Sequence, residues 1–132
     1  MSDFLKLKKR KDFVRVAKKG EKIVTTSFIL QAARSLSVED IGPKFGFTTT
    51  KKIGHAVVRN RARRRMRAVV RELYKTKAHN NTEYVLIGRF STADCPYKDM
   101  HRDLNYALKK MNSLLYGDKN EKNNLPNANP SC

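Results

Sequence analysis

Tryptophan is absent from this 132-residue chain, and cysteine is nearly absent, with Cys95 and Cys132 far apart. Because no CxxC pair occurs, the sequence predicts neither a zinc site nor a disulfide framework. Apolar runs of about 18 residues, which a membrane-spanning helix requires, are also missing. The first residues lack the apolar stretch of a secretory leader. We therefore expect no membrane partner and a cytoplasmic protein with reduced thiols.

Acidic residues are scarce. The chain has 12 Asp and Glu against 29 Lys and Arg, a formal net charge of +17. Self-repulsion of this size destabilises a compact chain, so a polyanionic partner is expected to compensate for it. Nucleic acid is the favoured partner because neutralising its phosphates releases condensed counterions. The alternative, an acidic membrane surface, would require an amphipathic face rich in large apolar side chains.

The composition predicts one domain with a modest core, since 39% of the residues are hydrophobic. Basic residues concentrate in residues 1–22 and 44–75, whereas residues 117–132 are rich in Asn and Pro and have almost nothing to bury. We therefore predict a folded nucleic-acid-binding domain over residues 1–116 and a disordered tail over residues 117–132.

Hydrophobic periodicity predicts an α+β fold with the element order αβββαβα and helices packed against one sheet. The segments are a helix at about 9–19, strands at 22–34 (broken near Thr25–Thr26), 44–50 and 82–90, and helices after Gly54 and Pro96. The strand at 44–50 alternates, with the Phe side chains on one face and small or polar side chains on the other. The second face leaves room beside the first helix. The sequence thus suggests a cleft for an unpaired nucleic-acid strand, in which Phe13 is either a stacking ring or a core residue.

The segment KKIGHAVVRNRARRRMR, residues 51–67, carries two lysines, six arginines and no acid. On a helical wheel, one apolar stripe has a basic flank on each side, and the stripe comprises Ala62, Met66, Val69, Val70 and Leu73. Glu72 is the only acid from residue 44 to residue 75, so ion pairs along the helix cannot explain the arginines. A guanidinium is planar and forked, which suits phosphate oxygens. The pattern therefore predicts contact with a nucleic-acid backbone.

The sequence does not indicate that this chain catalyses a reaction by itself. Metal-dependent cleavage of a phosphodiester requires converging carboxylates, and the basic region offers only Glu72. The histidines have no evident general acid–base partner, although a metal-free ribonuclease that uses His55 beside Lys51 stays open as an alternative. We therefore predict no catalytic residue and no protein metal site.

The stretch KFGFTTTKKIGHAVVRNRARRRMRAVVREL strongly resembles the protein subunit of bacterial ribonuclease P, and KDFVRVAKKG and YVLIGR extend the likeness over about residues 4–115. The resemblance implies a four-stranded sheet with three helices. It also implies a left-handed β-α-β crossover through the basic helix, where the general rule predicts a right-handed one.

The resemblance further implies that an RNA subunit is the catalyst of an endoribonuclease. The protein would bind that RNA and the 5′ leader of precursor tRNA, as a monomer in a 1:1 complex, with Mg²⁺ bound mainly by the RNA. The positions that would contact the catalytic RNA are Lys51, Lys52, Arg59, Asn60, Arg61, Arg63, Arg64, Arg65, Arg67 and Arg71. The leader cleft would comprise Phe13, Val16, Ala17, Ile29, Gln31, Thr48, Thr50, Arg59, Asn60, Arg63 and Arg67.

Three positions depart from the family pattern. Ala17 and Gln31 stand where many relatives carry aromatic residues, so we expect weaker stacking on the leader and a larger role for Phe13. His55 replaces a residue that is often Asn, and a hydrogen-bonding role survives the change. The alternative function is that of a general RNA-binding or ribosomal-type structural protein without a processing role.

Overall fold

A computed structural model describes residues 4–36 and 41–117 of the chain. These residues form three α-helices and a mixed sheet, as expected for an α+β protein. The strands are β1 (Leu5–Lys6), β2 (Glu21–Val24), β3 (Phe28–Arg34), β4 (Lys44–Thr48) and β5 (Thr82–Gly88). The helices are α1 (Arg10–Lys19), α2 (Ala56–Lys77) and α3 (Tyr97–Tyr116), with a 3₁₀ turn at Lys51–Ile53. The predicted tail lies outside the described residues, apart from Gly117.

The sheet has five strands in the order β1-β4-β5-β3-β2, so the predicted count of four is wrong. The additional strand, β1, pairs in parallel with the start of β4, and the Leu7 amide donates to the Phe45 carbonyl at 2.9 Å. A strand of two residues is too short for an alternating pattern to reveal it. With β1 included, the chain order is βαβββαβα.

Aromatic packing holds the segment next to β1 in place. The ring of Phe4, which is buried, makes edge-to-face contacts with Phe45, Phe47 and Tyr74 at centroid distances of 5.5 to 5.7 Å. Such contacts add to the free energy gained from burial of the rings. The N-terminal segment is thus fixed against both β4 and α2.

The predicted break near Thr25–Thr26 separates β2 from β3, which pair in antiparallel fashion. The Thr25 hydroxyl and amide both donate to the Phe28 carbonyl, at 2.7 and 3.0 Å, and close the turn. In contrast, β4 and β5 are parallel neighbours, and α2 connects them. The left-handed crossover stays a prediction from the resemblance.

Alternation along the central strand β5 builds two cores. Tyr84 and Leu86 face α2 and α3, whereas Val85 and Ile87 face α1. The stripe predicted for α2 is buried along its whole length, which confirms that part of the wheel. Removal of these apolar side chains from water is the main favourable contribution to the packing.

A buried carboxylate joins α3 to the β2–β3 turn. Asp103 is 1% exposed and accepts hydrogen bonds from the Ser27 amide at 3.2 Å and the Ser27 hydroxyl at 2.7 Å. Arg102 lies beside it, with Nε 3.5 Å from a carboxylate oxygen, and also contacts Asp99 in the first turn of α3. Asp103 therefore joins α3 to the β2–β3 turn, because a buried polar side chain requires such hydrogen-bond partners.

Candidate nucleic-acid interface

A short segment that contains the 3₁₀ turn connects the end of β4 to the basic helix α2. The 3₁₀ turn ends at Gly54, whose φ of 141° is a conformation that favours glycine. A Cβ at this position would also stand 2.9 Å from Cβ of Val58. The chain therefore reverses tightly, which brings Lys51 and Lys52 to the N-terminal end of α2.

One flank of α2 lies along the edge of the sheet formed by β4 and β1. Its arginines recur every fourth residue, at Arg59, Arg63, Arg67 and Arg71, and we call this set the arginine row. Arg63 Nη1 donates to Thr49 Oγ1 at 2.7 Å. The guanidinium of Arg67 lies over the Phe47 ring at 5.4 Å, and that of Arg71 over Phe4 at 5.9 Å. Cation–π contacts of this kind orient the side chains while other N–H donors can face a partner.

The N-terminal turn of α2 orders its own polar groups. Arg59 Nη1 donates to the Gly54 carbonyl at 3.0 Å, so its side chain folds back toward the 3₁₀ turn. Arg63 also donates to the Asn60 side-chain carbonyl. Asn60 and Arg64 are both exposed, one turn apart on the helix. These contacts place Arg59, Asn60 and Arg63 on one basic surface at the start of α2.

The other flank of α2 has a structural role that the sequence did not reveal. Arg61 Nε donates to the Ala93 carbonyl at 2.8 Å, and Arg65 donates to the carbonyls of Thr92, at 2.8 Å, and Cys95. These two arginines therefore fix the connection between β5 and α3. Their assignment to RNA contact alone is incomplete, since loop carbonyls already occupy part of each guanidinium.

The acid of α2 is engaged on the α3 side. Glu72 accepts a hydrogen bond from the Tyr97 hydroxyl at 3.1 Å, and His101 Nε2 lies 3.5 Å from its other carboxylate oxygen. Burial raises the pKa of Tyr97 to about 12, with the bond to Glu72 as a further cause. The arginine row lies on the opposite flank of the helix.

The opposite face of the sheet carries α1 and leaves part of its surface exposed beside this helix, and we call this exposed part the cleft. Arg15 fixes α1 there through an ion pair with Glu83 of β5 and a 3.2 Å bond to the Arg34 carbonyl. Phe13 is half-buried and packs against the core of this face, which includes Val16 and Val85. The room predicted on the polar face of β4 is thus occupied by Phe13 at Gly46 and remains accessible farther along, at Thr48.

The predicted cleft positions differ in what they can offer a ligand. Val16 is 0% exposed, so it packs α1 onto the sheet and presents no surface to RNA. Ala17 is exposed, whereas Ile29, Gln31 and Thr48 are half-buried, and Thr50 is exposed at the end of β4. Ile29, Gln31 and Thr48 therefore form a partly exposed floor on this face, whereas the predicted cleft residues Arg59, Asn60, Arg63 and Arg67 lie on α2.

Two apolar positions of the cleft were missed. They are Val24, which is 54% exposed, and Ile87. Val24 lies opposite Ile29 in the neighbouring strand, and Ile87 lies between Ile29 on one side and Thr48 on the other. These four side chains form one strip across four strands. Periodicity within a single strand could not reveal Val24 or Ile87, because the strip depends on the register between strands.

The cleft and the arginine row meet at the end of β4. Successive side chains of a strand point to opposite faces, so Thr48 faces the cleft while Thr49 contacts Arg63 of α2. The two surfaces are therefore continuous around this edge of the sheet.

The described histidines do not converge on a common site. His55 is exposed in front of α2, His79 stacks on the Tyr116 ring at 3.8 Å, and His101 lies near Glu72. Across residues 4–36 and 41–117, no three His, Cys, Asp or Glu side chains are grouped so that they could hold a metal ion. In the same part of the chain, none of the helices is both long and apolar enough to cross a membrane.

Comparisons with known proteins agree with the resemblance. A family model described as Ribonuclease P matches residues 1–112. A ribonuclease P protein component from Paramagnetospirillum magneticum is 41% identical over 111 residues, which cover 83% of this chain and 84% of that protein. One from Gluconacetobacter diazotrophicus is 42% identical over 106 residues, which cover 80% and 89%.

Solved structures share the fold. The RNase P protein of Staphylococcus aureus matches with a TM-score of 0.66 and 26% identity, over 80% of this chain and 93% of that one. The RNase P protein from Thermotoga maritima matches with a TM-score of 0.68 and 22% identity, over 80% and 96%. Sequence and fold agree over nearly all of the described residues, and the chain therefore belongs to the ribonuclease P protein family.

Proposed function

We propose that this chain is the RNA-binding subunit of a ribonuclease P holoenzyme, the endoribonuclease that removes the 5′ leader from precursor tRNA. The observation that carries the proposal is the arginine row on α2, which stands beside the cleft. Four cationic side chains at one edge of a sheet suit a phosphate backbone, since each neutralised phosphate releases counterions. Family membership identifies the holoenzyme.

Catalysis is assigned to the RNA subunit. The described residues lack a carboxylate cluster for the two ions that phosphodiester cleavage commonly uses. The expected Mg²⁺ therefore has no fitting ligand set in this part of the protein, and we assign its binding mainly to the RNA. The protein contributes by screening phosphates where two RNAs approach each other, which lowers their repulsion.

The two surfaces are proposed to divide the RNA contacts. The arginine row, Asn60, Arg64 and the lysines of the 3₁₀ turn contact the catalytic RNA. The cleft contacts the single-stranded leader, for which the Phe13 ring and the strip from Val24 to Thr48 provide apolar surface. Because the surfaces meet at Thr48 and Thr49, one protein in a 1:1 complex can hold the leader in register with the catalytic RNA.

Reconstitution with and without the partner RNA tests the division of labour. Precursor tRNA and Mg²⁺ are incubated with the protein alone, with the catalytic RNA alone at low Mg²⁺, and with both. We expect no cleavage by the protein alone and the fastest cleavage with both components. Cleavage of the precursor by the purified protein alone would contradict the assignment of chemistry to the RNA.

A second measurement separates leader recognition from general RNA binding. The affinity of the reconstituted complex is compared for precursor tRNA and for mature tRNA, which lacks the leader. A higher affinity for the precursor, lost when the leader is shortened, is the expected result. Equal affinities would favour a general RNA-binding protein without a processing role.

A further inference from the structure

The connection from β5 to α3 is held on two sides. On one side, Arg61 and Arg65 of α2 bond its carbonyl groups. On the other, the connection donates to the β2–β3 turn through Arg89 Nη1 to the Thr25 carbonyl at 2.6 Å, Ser91 Oγ to the Thr26 carbonyl at 2.6 Å and Thr92 Oγ1 to the Ser27 carbonyl at 2.5 Å. The backbone around residue 90 is therefore well fixed on the protein.

Phe90 projects from this fixed connection into solvent. It is 78% exposed, although its neighbours Thr92 and Ala93 are buried. Exposure of a large ring forgoes the free energy that its burial would provide. The side chain is thus presented outward by a backbone that hydrogen bonds fix on two sides.

Basic side chains line the same pocket as the ring. Phe90 lines an open pocket of about 540 Å³ together with Lys51, Lys52 and Arg59, which come from the 3₁₀ turn and the first turn of α2. Both lysines are exposed, and Arg59 is half-buried with one donor already on the Gly54 carbonyl. The volume lies in the range of small-molecule sites.

We propose that Phe90 stacks on an unpaired nucleobase while Lys51, Lys52 and Arg59 contact the phosphates that flank this base. The proposal rests on the RNA-binding function proposed above and adds a base contact to the basic surface at the start of α2, for which only phosphate contacts are proposed there. An aromatic ring beside a cationic groove is how proteins hold single-stranded nucleic acid. An apolar partner protein would gain little from the three cations, so charge complementarity favours RNA.

Two RNAs could supply the base. The pocket lies at the end of the sheet where β4 and β5 finish, which is also where the cleft meets the arginine row. The base could therefore come from the catalytic RNA or from the leader of the precursor, and the chemistry of recognition is the same. The experiment has one arm for each source.

The absence of tryptophan makes a fluorescence test direct. In Phe90→Trp, the introduced indole is the sole tryptophan and still provides a stacking ring. We expect its emission to be quenched, with saturation, when the full-length protein is titrated with the catalytic RNA. If quenching appears only after precursor tRNA is added to the protein–RNA complex, the base belongs to the substrate. Either result supports the proposal.

Leu36→Trp is the matched control. Leu36 is also 78% exposed, but it follows β3 at the opposite end of the sheet. Its indole is expected to keep most of its emission in both titrations. Equal quenching at positions 36 and 90 would overturn the proposal, because it would report general proximity to RNA.

Binding by Phe90→Ala completes the test. We expect the affinity for the RNA that quenches Phe90→Trp to fall about tenfold, within the range for loss of one stacking ring, while Leu36→Ala stays within about twofold of the unaltered chain. Unquenched Phe90→Trp and unchanged affinity of Phe90→Ala, with Arg63→Ala still weakening binding, would overturn the base contact and leave the RNA-binding function in place. If the unaltered chain bound neither RNA, both proposals would fail.

Discussion

The ring of Phe13 lies against the backbone of Gly46, so closely that a Cβ at position 46 would stand 2.5 Å from both Cε1 and Cζ of the ring. Position 46 is on the face of β4 that looked open in the sequence. The contact explains why a residue without a side chain occurs there. It also resolves whether Phe13 is core or surface, because the half-buried ring packs on the sheet and exposes its remaining part to the cleft.

Gly46→Ala is expected to lower the free energy of unfolding by about 1–3 kcal/mol, because the added methyl group overpacks the space beneath the ring. Urea denaturation of the free protein measures the change. Gly42→Ala is the matched control, since a Cβ there would meet only Leu5 Cδ1, at 3.9 Å. Similar losses in the two variants would show that the ring does not require the space at Gly46.

Phe13→Leu separates packing from stacking. Leucine keeps an apolar side chain on the sheet, so the loss in unfolding free energy is expected to stay below about 1.5 kcal/mol. The aromatic face is lost, so affinity of the reconstituted complex for precursor tRNA is expected to fall by about 1–3 kcal/mol. Affinity for mature tRNA is the internal control and should not change. A loss confined to stability would remove Phe13 from the leader contact.

Arg63 and Arg65 should differ in what their replacement damages. Arg63→Ala is expected to weaken binding to the catalytic RNA and to reduce the slope of log K against log salt by about 1. For the unaltered protein, about six phosphate contacts predict a slope near −4 to −5. Binding isotherms at several salt concentrations provide both quantities.

Arg65→Ala removes the bonds to the Thr92 and Cys95 carbonyls, so it is expected to lower the unfolding free energy by about 1–3 kcal/mol. Lys109→Ala, at an exposed position of α3, serves as a control for both measurements. If Arg63→Ala and Arg65→Ala changed stability and salt slope alike, the distinction between the two flanks of α2 would be wrong.

Tyr84 should make stability depend on alkaline pH. Burial raises its pKa to about 12, above the ordinary tyrosine value of about 10. The folded state therefore retains a proton that the unfolded state loses, and the contribution is present below about pH 10 and is lost as the pH rises toward 12. Its hydroxyl donates to Asn112 Oδ1 at 2.7 Å and accepts from the His79 amide at 2.8 Å.

Tyr84→Phe is accordingly expected to lower the unfolding free energy by about 1–3 kcal/mol at neutral pH and to flatten its decline between about pH 10 and 12. Denaturant unfolding at a series of pH values measures both effects. Tyr106→Phe is the control, because its hydroxyl contacts Lys110 at the surface of α3. An unchanged alkaline slope in Tyr84→Phe would assign the decline to other groups.

Sequence patterns within one segment predicted its secondary structure and its buried face correctly, but the contacts between distant segments could not be predicted. The stripe from Ala62 to Leu73 follows from helical spacing alone, and its burial is confirmed. In contrast, β1 forms by pairing with β4, and Arg61 donates one hydrogen bond to the Ala93 carbonyl. Both contacts involve residues that are distant in the chain. No local period encodes such contacts, since their partners are chosen by the tertiary fold.

The exposure of Phe90 also could not be predicted from the local sequence. In sequence the residue is the last one of the strand predicted at 82–90. In the structure β5 ends at Gly88, and the chain turns so that the ring leaves the core. The hydrogen bonds that hold residues 89–95 direct the Phe90 ring toward solvent. These bonds involve two other parts of the chain, the β2–β3 turn and α2.

The place of β5 at the centre of the sheet has a consequence for biosynthesis. Before this strand leaves the ribosome, β2 and β3 can form one hairpin and β1 and β4 another short pair, but these two units do not adjoin each other. A two-stranded pair is marginally stable in water by itself. The nascent chain therefore cannot complete its sheet until residue 88 has emerged, and the basic helix is synthesised before the strand that joins the two halves.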